Sequence, residues 1–100
     1  MIITRTDEDG KITLTLDGWL DMAGAPQLGE AVEAIEKADE IVLDFARVEY
    51  MASSGLRQVV AAHRQAQDLQ AGFSVIHVGT EVMSIFRMTG IDQKINIFEK

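Results

Sequence analysis

The chain has 100 residues, no cysteine and a formal net charge of −7. That length sets a single domain over residues 1–100, and the missing cysteines exclude disulfides, thiol catalysis and cysteine-based metal sites. The acidic balance disfavours nucleic acid, whose phosphate backbone needs clustered Lys and Arg, and favours a basic protein surface as partner. No apolar run approaches the ~20 residues of a membrane span. Nor does a basic segment followed by an apolar one open the chain. Membrane insertion is therefore not expected, and a cytoplasmic location is the default.

In chain order, Ile2–Thr6 reads as a first strand and Asp7-Glu8-Asp9-Gly10 as a turn. From Lys11 to Asp17, Ile12, Leu14 and Leu16 alternate with Thr13, Thr15 and Asp17. Period two with one polar side predicts a half-buried strand, antiparallel to the first. Gly18-Trp19-Leu20-Asp21 closes it. The Asp21 carboxylate is placed to cap a helix. Trp19 either packs over the sheet edge or stands out as an anchor for a partner. Pro26 suits a first helical turn. Leu28, Ala31, Val32 and Ile35 then fall on one face with Glu30, Glu33 and Glu36 outward, which predicts an amphipathic helix of about three turns.

Ile41–Phe45 reads as a buried strand. Beyond Tyr50-Met51-Ala52-Ser53-Ser54-Gly55, the residues Leu56, Val59, Val60 and His63 have the spacing of an inward helix face. Two hydroxyls and a glycine thus sit where strand becomes helix. Ser53 or Ser54 is expected to cap the first turn, and Gly55 to let another chain or a phosphate approach the backbone. The amides converge here as partial positive charge, so an anion is favoured. Met51, beside the turn, has a claim to a contact role, while Met83 and Met88 are expected to fill the core. Phe73–Val78 is a further strand, and Thr80 is a plausible N-cap for a helix over Glu81–Thr89. On that helix Val82, Ile85, Phe86 and Thr89 share a face, and Gly90 ends it. Lys94–Phe98 forms the last strand.

The order β-β-α-β-α-β-α-β gives, from the second strand on, a series of right-handed βαβ units. If consecutive strands are also neighbours, the result is one mixed α/β sheet. An N-terminal antiparallel strand is followed by four parallel ones, with all helices on one face. Thr13, Thr15, Asp17, Ser74 and Asn96 leave the other face partly polar, although Val42 and Ile76 interrupt the alternation. Leu43, Val59, Val60, Val75 and Ile85 are the expected core. Asp21, the turn 52–55 and Gly79-Thr80 share the C-terminal edge of the parallel strands, where α/β proteins bind ligands and partners.

Catalysis is not expected. A nucleophilic Ser53 needs a base within about 3 Å, whereas His63 lies ten residues along the same helix, roughly 15 Å away at ~1.5 Å per residue. Asp21 with Asp44 is a conceivable acid/base pair, but no nucleophile elbow or metal-ligand cluster accompanies it.

The segment Val42-Leu43-Asp44-Phe45-Ala46-Arg47-Val48 followed by Tyr50-Met51-Ala52-Ser53-Ser54-Gly55-Leu56 resembles the signature of STAS domains of the bacterial anti-sigma factor antagonist type. Leu16-Asp17-Gly18-Trp19-Leu20-Asp21 is similar to the second signature of that family, with Trp19 where an acidic residue is usual. The resemblance covers essentially the whole chain. It implies the STAS fold, a right-handed β-α superhelix, and a phosphorylatable serine at Ser53, with Ala52 in place of the family's aspartate. It further implies a partner-switching module with no cofactor of its own. In that scheme the unphosphorylated domain binds an anti-sigma factor with serine kinase activity, is released on phosphorylation, and is restored by a phosphatase. A partner surface of Trp19, Asp21, Met51, Ala52, Ser54, Gly55, Arg57 and Thr80 follows, on a monomer or weak dimer. The alternative is a constitutive STAS scaffold or transporter accessory subunit that is never phosphorylated.

Overall fold

A computed structural model describes residues 1–100. The first strand, β1 (Ile2–Glu8), turns back into β2 (Lys11–Leu20) through Asp9 and Gly10, with Glu8 opposite Lys11. Both turn residues have positive φ, +50° and +84°. That twist matches the flanking strands in a two-residue hairpin, and glycine tolerates it best. The remaining elements are α1 (Ala25–Glu33), β3 (Glu40–Met51), α2 (Ser53–Asp68), β4 (Gly72–Val78), α3 (Thr80–Thr89), a single 3-10 turn (Ile91–Gln93) and β5 (Asn96–Glu99). The sheet order is β1-β2-β3-β4-β5; β1 pairs antiparallel and every other pair is parallel. This is the expected mixed sheet.

Alternation dictates the two faces. Ile12, Leu14 and Leu16 of β2, Ile41, Leu43 and Phe45 of β3, and Phe73 and Val75 of β4 are buried in one apolar cluster. Leu28 and Val32 of α1, Val59, Ala62 and Ala66 of α2, and Val82, Met83 and Phe86 of α3 join it. The Phe86 ring lies 6.2 Å from that of Phe45, which places α3 on the same side as the other helices. On the opposite face Thr13, Thr15, Asp17, Ser74 and Ile76 are half-buried and Asn96 is exposed. Val42 is on that open face yet only 2% exposed, flanked in register by Thr13 and Ser74. At the outer edge, the Arg5 guanidinium hydrogen-bonds the Asp7 carboxylate at 2.8 and 3.0 Å. The bond holds the Asp7 carboxyl below its usual range and raises Arg5, in an exposed pair of little energetic weight.

Several boundaries move. Strand β3 continues from Phe45 to Met51, so Tyr50 and Met51 belong to the strand and not to a turn. It does so because β2 runs through Gly18 to Leu20, which gives it a partner up to Met51. Helix α1 stops at Glu33, short of three turns, with Ile35 buried just beyond its end. The last strand starts at Asn96, after the 3-10 turn has taken up the preceding residues. The buried face of α2 is Gly55, Val59, Ala62 and Ala66, rotated from the predicted stripe, so Leu56, Val60 and His63 are half-buried. Small residues face the sheet because the helix packs close to it. His63 rests against the Phe73 ring at 5.5 Å. Met83 is core, but Met88 is 85% exposed on the outer side of α3. Leu43, Val59 and Val75 are fully buried, whereas Val60 and Ile85 are not.

Burial ranks the cost of truncation. Leu43→Ala removes a side chain sealed on all sides and is expected to destabilise the domain by about 2–5 kcal/mol in urea unfolding. Ile85→Ala is expected to cost clearly less, because part of that side chain is already in water. Equal losses at the two positions would contradict the packing.

Candidate functional site

The C-terminal ends of β2 and β3 lie side by side, with Trp19 opposite Tyr50 and Leu20 opposite Met51. Leu20 and Met51 point inward and are buried; Met51 is 2% exposed and belongs to the core. A contact role for Met51 is thereby corrected: period two turns it away from the surface that Tyr50 occupies. Trp19 and Tyr50 point the other way, 55% and 49% exposed. Their rings are 5.4 Å apart, tilted by 50°. Trp19 thus packs on a neighbouring ring while just over half of it stays in solvent.

Chain geometry then fixes the signature turn. Ala52 is extended (φ −91°, ψ 174°) and donates its N–H to the Leu20 carbonyl at 3.0 Å. Its own carbonyl accepts the first helical bond, from Leu56 N–H at 3.0 Å. Ala52 is thus the N-cap of α2, and no side chain caps the helix. Neither Ser53 nor Ser54 does so, because both are already helical and lie inside the first turn. Ser53 is exposed. Ser54 differs sharply: its Oγ is shielded from solvent and has no hydrogen-bond partner. Arg57, one turn on, is exposed and forms no ion pair.

Gly55 is buried, and what approaches it is the chain's own backbone. A Cβ there would lie 2.4 Å from the Leu20 carbonyl oxygen and 2.6 Å from Leu20 Cγ. The expected approach of a phosphate or second chain at Gly55 is therefore replaced by close packing of α2 on β2. Gly24 plays the same part for α1, since a Cβ there would meet the Trp19 carbonyl oxygen at 2.3 Å. Asp21 lies between these contacts. Its Oδ1 accepts the N–H groups of Ala23 (3.1 Å) and Gly24 (2.9 Å), and its carbonyl accepts Ala25 N–H at 2.7 Å. Asp21 thus locks the turn before α1, whose N-cap is Gly24.

Thr80 is exposed and is the first residue of α3; the N-cap is Gly79, which corrects the expected Thr80 cap. Nor does Thr80 stand level with Ser53. Pairing of β3 with β4 ends at Asp44 opposite Ile76, while β3 continues beside β2 to Met51. The Gly79-Thr80 turn is thus set back along the strand by on the order of 15 Å at ~3.3 Å per residue. The shared edge contains Asp21 and residues 52–55 but not Thr80. His77 has φ +58° and places Nδ1 3.0 Å from Asp44 Oδ1, which also accepts Ala46 N–H at 2.9 Å. Asp44 is engaged there, well down the sheet from Asp21, so the two carboxylates do not form a pair. No three His, Cys, Asp or Glu side chains gather as a metal site, and no helix is long and apolar enough to cross a membrane.

The family model described as "Mlab, STAS domain" matches residues 3–98. The chain is a STAS domain. Among its relatives, the anti-sigma-B factor antagonist of Listeria monocytogenes is 30% identical over 97 residues, spanning 95% of this chain and 84% of that protein. The anti-sigma-F factor antagonist RsfB of Mycobacterium tuberculosis is 26% identical over 98 residues, spanning 96% and 80%. The crystal structure of an anti-sigma factor antagonist from Mycobacterium paratuberculosis superposes with a TM-score of 0.89 at 25% identity, covering 99% of this chain and 86% of that one.

One feature of this STAS domain had no sequence signal. β3 carries an extra residue around Glu49, where the register with β2 shifts between Gly18 and Trp19, and Gly18 takes φ +121°. The bulge brings the Glu49 Oε2 within 3.1 Å of Trp19 Nε1, which donates to it. Nothing in the spacing of Glu49 separates it from an ordinary solvated strand residue.

Two substitutions test the turn. Gly55→Ala is expected to destabilise by about 1–3 kcal/mol, although alanine is the better helix former by roughly 0.5–1 kcal/mol. Ser54→Ala removes a hydroxyl that has lost its water without gaining a partner, so its melting temperature should be unchanged or higher. A marked loss at Ser54 together with tolerance at Gly55 would refute the geometry.

Proposed function

We propose that this STAS domain is an anti-sigma factor antagonist that changes partners through Ser53. In this reading the unmodified domain binds an anti-sigma factor with serine kinase activity, and phosphorylation of Ser53 ends the association. The observation that carries the reading is an exposed hydroxyl on the first residue of α2, before amides that no side chain caps. Similarity to proteins named anti-sigma factor antagonists supports it. So does the contrast between the two serines, since the Ser54 hydroxyl is withdrawn from solvent.

The phosphoryl group, ATP and magnesium belong to the kinase. Ser53 Oγ attacks the γ-phosphorus, ADP leaves, and the hydroxyl proton passes to a base of the kinase. The product adds a charge of about −1.5 to −2 and three acceptor oxygens. The open amides of α2 stabilise that charge by roughly 0.3–1 kcal/mol, and Arg57 lies within one turn to pair with it. The domain thus stays folded. The partner bears the cost, because an interface built around a neutral hydroxyl would have to bury a dianion.

Ala52 favours a second reading. With no carboxylate before the serine, the domain would serve as a constitutive part of an assembly, such as a transporter accessory subunit.

Incubation with a cognate kinase and ATP is expected to add one phosphate at Ser53 by mass spectrometry. Ser53→Ala should abolish it, and Ser54→Ala should not. Phosphate found on Ser54, or none with a demonstrated cognate kinase, would overturn the site. Phosphorylated domain and the Ser53→Asp variant should bind the anti-sigma factor more weakly, with circular dichroism and melting temperature nearly unchanged. Equal binding before and after phosphorylation would favour the scaffold reading instead.

A further inference from the structure

The bulge at the end of β3 gathers Trp19, Glu49 and Tyr50. Trp19 and Tyr50 present two tilted rings to solvent, 55% and 49% exposed. Glu49 is fastened beside them by one oxygen, through Trp19 Nε1 at 3.1 Å. Its other oxygen makes no hydrogen bond within the chain, and Glu49 makes no ion pair. Asp7, Asp17 and Glu99 are paired with Arg5, Arg47 and Arg87, and Asp44 is hydrogen-bonded to His77. Glu8 and Glu40 of the strands also lack an ion pair, but only Glu49 is hydrogen-bonded to an aromatic side chain. In the turn that follows β2, Met22 is 83% exposed and adds apolar surface. A tethered carboxylate with a free oxygen beside two exposed aromatic rings has the chemistry of a guanidinium site. The carboxylate oxygen accepts a charge-assisted hydrogen bond, while the planar cation stacks on a ring face.

We propose that Trp19, Glu49 and Tyr50 form the docking point for an arginine side chain set in an apolar segment of the partner protein. Charge complementarity selects this occupant, since the domain carries a net charge of −7 and the unpaired Glu49 carboxylate is held beside the Trp19–Tyr50 ring pair. The proposal rests on the reading of the domain as a protein-binding module and adds the chemistry of the partner's contact. Tyr50 lies near the end of β3, three residues before Ser53 opens α2, so the anchor and the switch would be neighbours along the chain.

Trp19 is the sole tryptophan, so fluorotryptophan labelling gives a fluorine NMR signal from the site alone. The full chain would be titrated with the capped peptide Leu-Arg-Leu and with its citrulline analogue, which keeps the shape and loses the charge. The arginine peptide is expected to shift the Trp19 signal with roughly five- to tenfold stronger binding than citrulline. Glu49→Gln can still accept the Trp19 hydrogen bond but should lose that preference. Equal response to both peptides overturns the proposal, as does Glu49→Gln behaving like the unaltered protein. A Trp19 shift with phosphatidylglycerol vesicles and none with either peptide also overturns it, in favour of a membrane surface. With a purified kinase-type anti-sigma factor, Glu49→Gln should weaken binding about tenfold, and unchanged affinity would overturn the docking role. If that partner does not bind at all while the peptide preference persists, the Ser53 reading fails and the arginine site stands.

Discussion

The end of β2 is clasped between the first turns of two helices, and the geometry of the edge that carries Trp19, Asp21 and residues 50–55 depends on that clasp. The Trp19 and Leu20 carbonyl oxygens would lie only 2.3 and 2.4 Å from a Cβ at Gly24 and Gly55, so both approaches require glycine. Leu20 also accepts the Ala52 N–H. With Leu20 held inward, the pleat turns Trp19 out, and the pairing of the two strands does the same for Met51 and Tyr50. The helix then starts at Ser53 with its amides unspent, because the residue in the capping position is an alanine that has no acceptor to offer.

This arrangement divides the work between stiffness and exposure. Core side chains from every helix meet on one face of the sheet, and close-packed interiors of this kind hold their shape against small loads. The edge they support is therefore a preformed surface, and a partner need not order it on binding, which lowers the entropic cost of association.

The departure of β3 from β4 matters as much. Beyond Asp44, β3 has β2 as its sole strand neighbour, and His77 turns the chain away in a left-handed conformation while holding Asp44. The projecting β2–β3 pair carries the rings, Glu49 and the approach to Ser53. Gly79 and Thr80 are left behind it, which separates them from the surface they were expected to share.

Strand alternation in Lys11–Asp17, the apolar run Ile41–Phe45 and the helical spacings of α1 and α3 determined element types, their order and the one-sided sheet. These are local periodicities, and hydrophobic burial has few ways to satisfy them. The Ser53–Gly55 turn was legible for the same reason, as small residues at a strand-to-helix junction. The clasp of Leu20 by Gly55, the burial of Met51 and the exposure of Met88 were decided only in three dimensions. So were the half-exposure of Val60 and Ile85, the orphaned Ser54 hydroxyl and the tethering of Glu49 to Trp19. Each depends on how far β3 extends and where its bulges fall. A strand's length is set by whether a neighbour is there to take its hydrogen bonds, and a one-residue shift reverses which side chains face the core.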